Sequence, residues 1–335
     1  MVFNLKKHLI IFFIFFTGIC SAYAFENTSR LKAMGDIGIA VSSADLDFFY
    51  NPAMLGFKES SFNMLVKGEF GDSFLLNGKN ITMPKPYGNA SVIFTGKRIS
   101  ANISDSFFLL DEIIEDDTRF YNAIQDISLG INYAVKISNF SFGAGITGNM
   151  SLIRPNIRIS NSNRFVDLWI NGVFESYKFN EDSENLNIKL GMGFSMYNFS
   201  IGLIIPDFYN YRTNDTSFKP REILSSISFG LYYSVPEYNA RGKLRNFTGS
   251  LGLDLINVGD YNKLGIKAGG EFKLQFTSDY KLSILAGLNT IFKNSQKSVI
   301  SLGLGAKLNK VNLNLNFYLD ALSNLKYSFS GSYTI

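Results

Sequence analysis

Cysteine and histidine are nearly absent from this chain: Cys20 and His8 are the only ones. Both lie in an N-terminal stretch with the plan of an export signal. Lys6 and Lys7 form a basic start, Leu9–Ile19 an apolar centre, and Ala22-Tyr23-Ala24 a small-residue cleavage site. Residues 1–24 are therefore expected to leave as a signal peptide. The apolar centre is shorter than the ~17–25 residues of a helical membrane span. A lipid-modified Cys20 is the rival assignment, and bulky Ile19 just before it argues against that. After cleavage no thiol and no imidazole remain. That excludes disulfides, Cys/His zinc sites and any triad or dyad built on histidine or cysteine. Only carboxylate or lysine chemistry is left, and neither an enzyme activity nor a cofactor is expected.

An excess of one charge is also missing. The net charge of +4 falls to +2 once Lys6 and Lys7 are removed, and no basic block offers a surface to nucleic acid. Beyond residue 24 no apolar run is long enough for a helical span. Proline is scarce at 7, whereas Phe (32), Tyr (17) and Gly (29) are plentiful. Aromatics with glycine and little proline suit strands that turn one face to lipid.

The arrangement of these residues supplies the main signal, a period of two. Ile127, Leu129, Ile131, Tyr133, Val135 and Ile137 alternate with Ser128, Gly130, Asn132, Ala134 and Lys136. The same greasy-then-small pattern recurs to the end of the chain. It places strands near 61–70, 88–97, 101–110, 125–137, 140–152, 185–197 and 199–208. Further strands follow near 224–236, 246–258, 263–276, 280–292, 299–308, 311–322 and 326–335. The runs match the ~9–11 residues of a tilted transmembrane strand and exceed the ~5–6 of an average soluble one. The non-greasy face is Gly, Ser, Asn and Thr, as suits a hydrated interior. The fold class is all-β: a transmembrane antiparallel barrel of about fourteen strands.

Connections alternate between tight (98–100, 138–139, 198, 277–279, 309–310) and long (71–87, 111–124, 153–184, 209–223), with 237–245 as the exception. Barrels of this class turn tightly in the periplasm and loop outside. An extra hairpin within Phe165–Phe179 would raise the count to sixteen. The terminal strand Tyr327–Ile335 alternates aromatic or aliphatic residues with Ser and Thr, the signal expected to engage barrel-assembly machinery.

Several local signals invite other readings. Gly143-Ala144-Gly145-Ile146-Thr147-Gly148 spells a dinucleotide-type motif but lacks the strand–turn–helix context that motif requires. Asp111, Glu112, Glu115, Asp116 and Asp117 cluster in a predicted outer loop, where a calcium site and a solvated loop compete. Lys67, Lys136, Lys189 and Lys267 fall on the lumen parity and are candidate ligand-binding residues for an anionic headgroup; Lys273 and Lys307 share that parity. Trp169, the only tryptophan, lies in the longest loop.

Residues 30–56 break the strand pattern. They contain Met34-Gly35, Gly38, Ala40, Ala44-Asp45 and Tyr50-Asn51-Pro52-Ala53. This segment resembles the N-terminal region of the FadL-type outer-membrane transporter superfamily, which includes long-chain fatty-acid transporters and PorV-like secretion proteins. The resemblance implies a barrel of fourteen strands with a hatch in its lumen, in the outer membrane of a diderm bacterium. The hatch residues would be Met34, Gly35, Gly38, Asp45, Tyr50, Asn51, Pro52 and Ala53, with the hatch spanning 25–58 and the barrel 59–335. It also implies outer-membrane lipid and a hydrophobic small molecule, such as a long-chain fatty acid, as partners. A PorV-like role in binding or shuttling secreted proteins is the alternative, with a surface adhesin or antigen as a further one. The chain is short for a fatty-acid transporter of that family, which trims its outer loops.

Overall fold

The computed structural model describes residues 29–41, 50–58, 62–77, 80–81, 87–115, 118–159, 182–212, 226–239, 246–277, 280–321 and 324–334. The expected signal peptide, Asp45, Trp169 and the optional hairpin at 165–179 lie outside them. Two short elements come first: helix α1 (Ser29–Ala33) and a 3₁₀ turn (Pro52–Phe57). Strands then follow as β1 (Asn63–Asn77), β2 (Asn80–Ile81), β3 (Tyr87–Thr95), β4 (Ile99–Glu115) and β5 (Thr118–Ile137). Next are β6 (Phe140–Ile159), β7 (Asp182–Met196), β8 (Phe199–Arg212), β9 (Ser228–Asn239) and β10 (Asn246–Ile256). The last are β11 (Gly265–Gln275), β12 (Tyr280–Ile291), β13 (Asn294–Leu308), β14 (Val311–Asp320) and β15 (Asn324–Thr334).

Each strand pairs antiparallel with its neighbour, and β15 returns to β1 from Leu65↔Thr334 to Leu75↔Asn324. The wall is thus a closed barrel of fourteen strands. The two-residue β2 stands outside that count, pairing only with the tip of β1. Closure leaves no free strand edge within the bilayer, where backbone groups find no water. The alternation sorts as expected: Leu129, Ile131, Tyr133 and Val135 are exposed on the outside, while Ser128 and Asn132 are buried on the lumen side. Comparable exposed rows run along β10, β12 and β13, forming an apolar belt that lipid covers.

Register is fixed from the lumen side as well. Asn312, Asn314 and Asn316 of β14 donate from their side-chain amides to the hydroxyls of Ser332, Ser330 and Ser328 on β15. A slip by one residue would break the whole ladder and turn the greasy face inward.

Three tight turns, at 138–139, 197–198 and 309–310, share one end of the barrel. At the opposite, loop end the strands are longer than the alternation predicts. The segment 111–124 was expected to be an outer loop, yet most of it is paired strand: Glu112 faces Tyr121, Ile113 faces Phe120 and Glu115 faces Thr118. A bulge between Leu109 and Asp111 absorbs the register change. Asp111, Glu112 and Glu115 are therefore strand residues. Among the described residues, no group of three His, Cys, Asp or Glu is placed to hold a metal. Likewise β6 and β8 extend to Ile159 and Arg212, into segments expected to be loops. Above the lipid neither face has an apolar phase to match, so alternation fades while pairing continues.

Candidate functional site

The N-terminal segments 29–41 and 50–58 lie inside the barrel as a hatch. Leu31, Ala33, Met34, Ile37, Ala40 and Val41 bury themselves against Leu285 and Tyr232 of the wall. Met54 and Leu55 pack with Ala134, and Phe57 leans on that group. Leu285 is a greasy residue on the lumen parity of β12; the lapse in alternation marks where the hatch rests.

Glycine determines how closely the hatch can approach. A side chain at Gly269 would begin 1.9 Å from the carbonyl oxygen of Met34, and one at Gly287 would begin 1.9 Å from the amide of Gly35. Gly202 admits the Ile39 carbonyl and Gly143 the Pro52–Ala53 peptide in the same way. The first glycine of the dinucleotide-like motif is thus a seat for the hatch. Gly35 itself needs to be glycine twice over, because its φ is +74° and wall backbone surrounds it.

Polar anchors complete the seat. One carboxylate oxygen of buried Asp254 accepts hydrogen bonds from the amides of Gly38 (2.7 Å) and Ile39 (3.1 Å). Successive amides pointing at one carboxylate form an anion nest, here with the wall supplying the anion. Ser301 accepts from the Gly35 amide at 3.1 Å and donates to the Ala33 carbonyl at 2.9 Å. Asn51 ties the hatch to itself: its side chain donates to the Ile39 carbonyl (2.7 Å) and accepts from the Ala53 amide (3.1 Å). Pro52 opens the 3₁₀ turn, where its missing amide costs nothing.

Ion pairs clamp the first helix. Glu271 sits between Arg30 of the hatch, whose Nε lies 2.8 Å away, and Lys273 of the wall at 3.2 Å. Glu69 sits between Lys32 of the hatch at 3.5 Å and Lys67 of the wall at 3.1 Å. Lys267 reverses the polarity, pairing with Asp36 of the hatch and lying 5.4 Å from the centre of the Tyr50 ring. At the turn end Lys58 donates to the carbonyl and hydroxyl of Thr95. Burial lowers the Lys58 amine to about 8.

The lysines singled out in the sequence therefore divide. Lys67 and Lys267 belong to the ion pairs around the hatch. Lys136 is exposed near the turn end, its amine 5.4 Å from the Phe57 ring. Lys189 is buried at mid-wall, its stem across Gly145, where β8 inserts Pro206–Phe208 opposite it. The hatch residues Met34, Gly35, Gly38, Tyr50, Asn51, Pro52 and Ala53 come together in the lumen. The wall's acids, Asp254, Glu271 and Glu69, were not singled out. Their signal was a carboxylate on the lumen parity of a membrane strand, a costly place for a charge without a partner.

No protein-family model and no curated protein matches the sequence. Solved structures do match over nearly the whole chain. The CymD monoaromatic hydrocarbon channel aligns at 12% identity and a TM-score of 0.55, covering 93% of this chain and 98% of its own. The fold is FadL-type. The Ralstonia pickettii toluene transporter TbuX gives 9% identity, a TM-score of 0.52, and coverage of 93% here and 98% there. A Pseudomonas aeruginosa FadL homologue gives 8% and 0.52, with 94% and 99% covered. At such identities the likeness is one of fold, and the FadL-type plan of a fourteen-strand wall around an N-terminal hatch agrees with the geometry above.

Proposed function

We propose that this protein is an outer-membrane channel for passive uptake of hydrophobic small molecules. The observation that carries the proposal is the plugged barrel: a fourteen-strand wall whose lumen is filled by its own N-terminus. An unplugged barrel of this width would leave an open aqueous lumen. The plug restricts passage to molecules that the channel binds. Fold relatives named as monoaromatic hydrocarbon channel and toluene transporter favour an apolar cargo. In this reading the tight turns face the periplasm, the chain is exported by a cleaved signal, and β15 is the strand met by the assembly machinery.

Two cargo classes fit, long-chain fatty acids and neutral aromatics, and Lys189 separates them. It lies near the hatch element at Gly191 and Asn51, within reach of a descending ligand. If the cargo carries a carboxylate, Lys189→Gln slows its entry into proteoliposomes or cells and leaves toluene entry unchanged. Uptake of neither oleate nor toluene above that of empty liposomes would end the proposal. A secreted protein that co-purifies with the barrel, with no greasy molecule extracted from it, would favour the PorV-like role instead.

A further inference from the structure

The end of the wall that carries the tight turns presents cations without acids. The Arg98 carbonyl accepts from the Ala134 amide of β5 at 2.8 Å, so the 96–98 turn joins those at 138–139, 197–198 and 309–310. Lys97 and Arg98 in the first of these, Lys136 just before the second, and Lys307 and Lys310 at the last are all exposed. Among the described residues no salt bridge reaches any of the five. At the loop end, by contrast, Lys263 pairs with Asp260 at 3.3 Å and Lys293 donates to Asn262. The acids with described side chains lie at the hatch or on the loop side of it.

The five cations form an arc. In wall order they run from β13 and β14, past β15 and β1, to the β3–β4 turn and β5, across six strand spacings. At ~4.8 Å per spacing the arc is roughly 30 Å long. No single carboxylate or phosphate spans that distance, whereas a protein face of ~800 Å² does. The cations also turn away from lipid. Lys136 and Lys307 lie on the lumen parity, next to Ile137 and Leu308, the exposed greasy residues that end the belt on β5 and β13. The Lys136 amine lies 5.4 Å from the Phe57 ring of the hatch. Lys97, Arg98 and Lys310 occupy turn tips beyond the belt.

Exposed charges of one sign repel one another, and their summed field draws in a partner of the opposite sign. We propose that the turn end docks an acidic soluble protein across this arc, over the mouth of the barrel. The width of the arc and its turn toward the mouth and the water beyond favour a folded, negatively charged surface over a small anion or a lipid headgroup. The docking goes beyond the uptake reading and does not depend on which cargo the channel takes.

The test places the purified barrel in phosphatidylcholine nanodiscs and uses a fluorescent oligoglutamate peptide as the acidic probe. Anisotropy should report binding that weakens as salt rises, since salt screens exposed charges beyond ~8–10 Å at physiological ionic strength. K97Q/R98Q/K307Q/K310Q should weaken binding about tenfold, the scale of a few exposed charge pairs. K263Q/K293Q, which removes cations from the loop end, should leave it unchanged. No binding by the wild type, or equal loss in both variants, would overturn the proposal. So would native mass spectrometry in which the wild type retains phosphatidylglycerol selectively and the turn-end variant does not, because lipid headgroups then occupy the arc. Uptake into proteoliposomes needs no soluble partner, so a failure of the channel and a failure of the docking surface are read separately.

Discussion

Two consecutive amides of the hatch, those of Gly38 and Ile39, end on a single carboxylate oxygen of Asp254. Without that acceptor each buried amide carries a desolvation cost of ~1–3 kcal/mol. Asp254→Ala is therefore expected to lower the urea midpoint of the purified barrel and to raise ion leakage through it in planar bilayers. Gly287→Val addresses the same hatch by steric means. Its Cβ would overlap the Gly35 amide, so the hatch must move. Conductance should rise while the far-ultraviolet spectrum of the strands is unchanged; unchanged conductance would show that the hatch is not what closes the lumen. How much of this was legible differs by residue. Met34, Gly35, Gly38 and Asn51 stood out because their segment breaks the strand pattern and resembles the N-terminal region of FadL-type transporters. Asp254 did not, because its partners are 216 and 215 positions away and local sequence carries no trace of them.

Strands were the most legible elements, since lipid on one side and lumen on the other impose a period of two. Every barrel strand can be read from that rule. It falls short beyond residue 110: the segment 111–124, which shows no alternation and reads as a loop, is paired strand from Asp111↔Asn122 to Glu115↔Thr118. Two-residue β2 is too short to display any period. The tight turns make a prediction of their own. Ser138, Tyr197 and Asn309 open them with φ of 55°, 53° and 58°. Left-handed backbone costs a residue with a Cβ about 1–2 kcal/mol. Glycine escapes most of that cost, and its gain is partly offset by greater freedom in the unfolded chain. Ser138→Gly is expected to raise the urea midpoint modestly in detergent. The same change at Asn309 should do less, because asparagine already tolerates this region.

At the scale of the molecule, the pH dependence of stability reports how the hatch joins the wall. The Lys58 amine, at about 8, lies below its ordinary 10.5. Between those values the unfolded chain binds a proton that the folded chain does not, so Lys58 makes stability rise with pH across that window. Comparing urea midpoints at about pH 7 and about pH 10 should show this rise in the wild type and a smaller one in Lys58→Met. Equal slopes would mean that the amine is hydrated and not held against Thr95. The separation of hatch from seat also bears on how the molecule is built. Arg30 meets Glu271 across 241 positions and Gly35 meets Ser301 across 266, so an N-terminal segment of the chain docks on some of its last strands. Contacts this remote form late, after the loop they close has been organised by other means. The seam that closes the barrel, from Leu65↔Thr334 to Leu75↔Asn324, is just as remote, so stopper and cylinder are both completed by the last stretch of chain to be made.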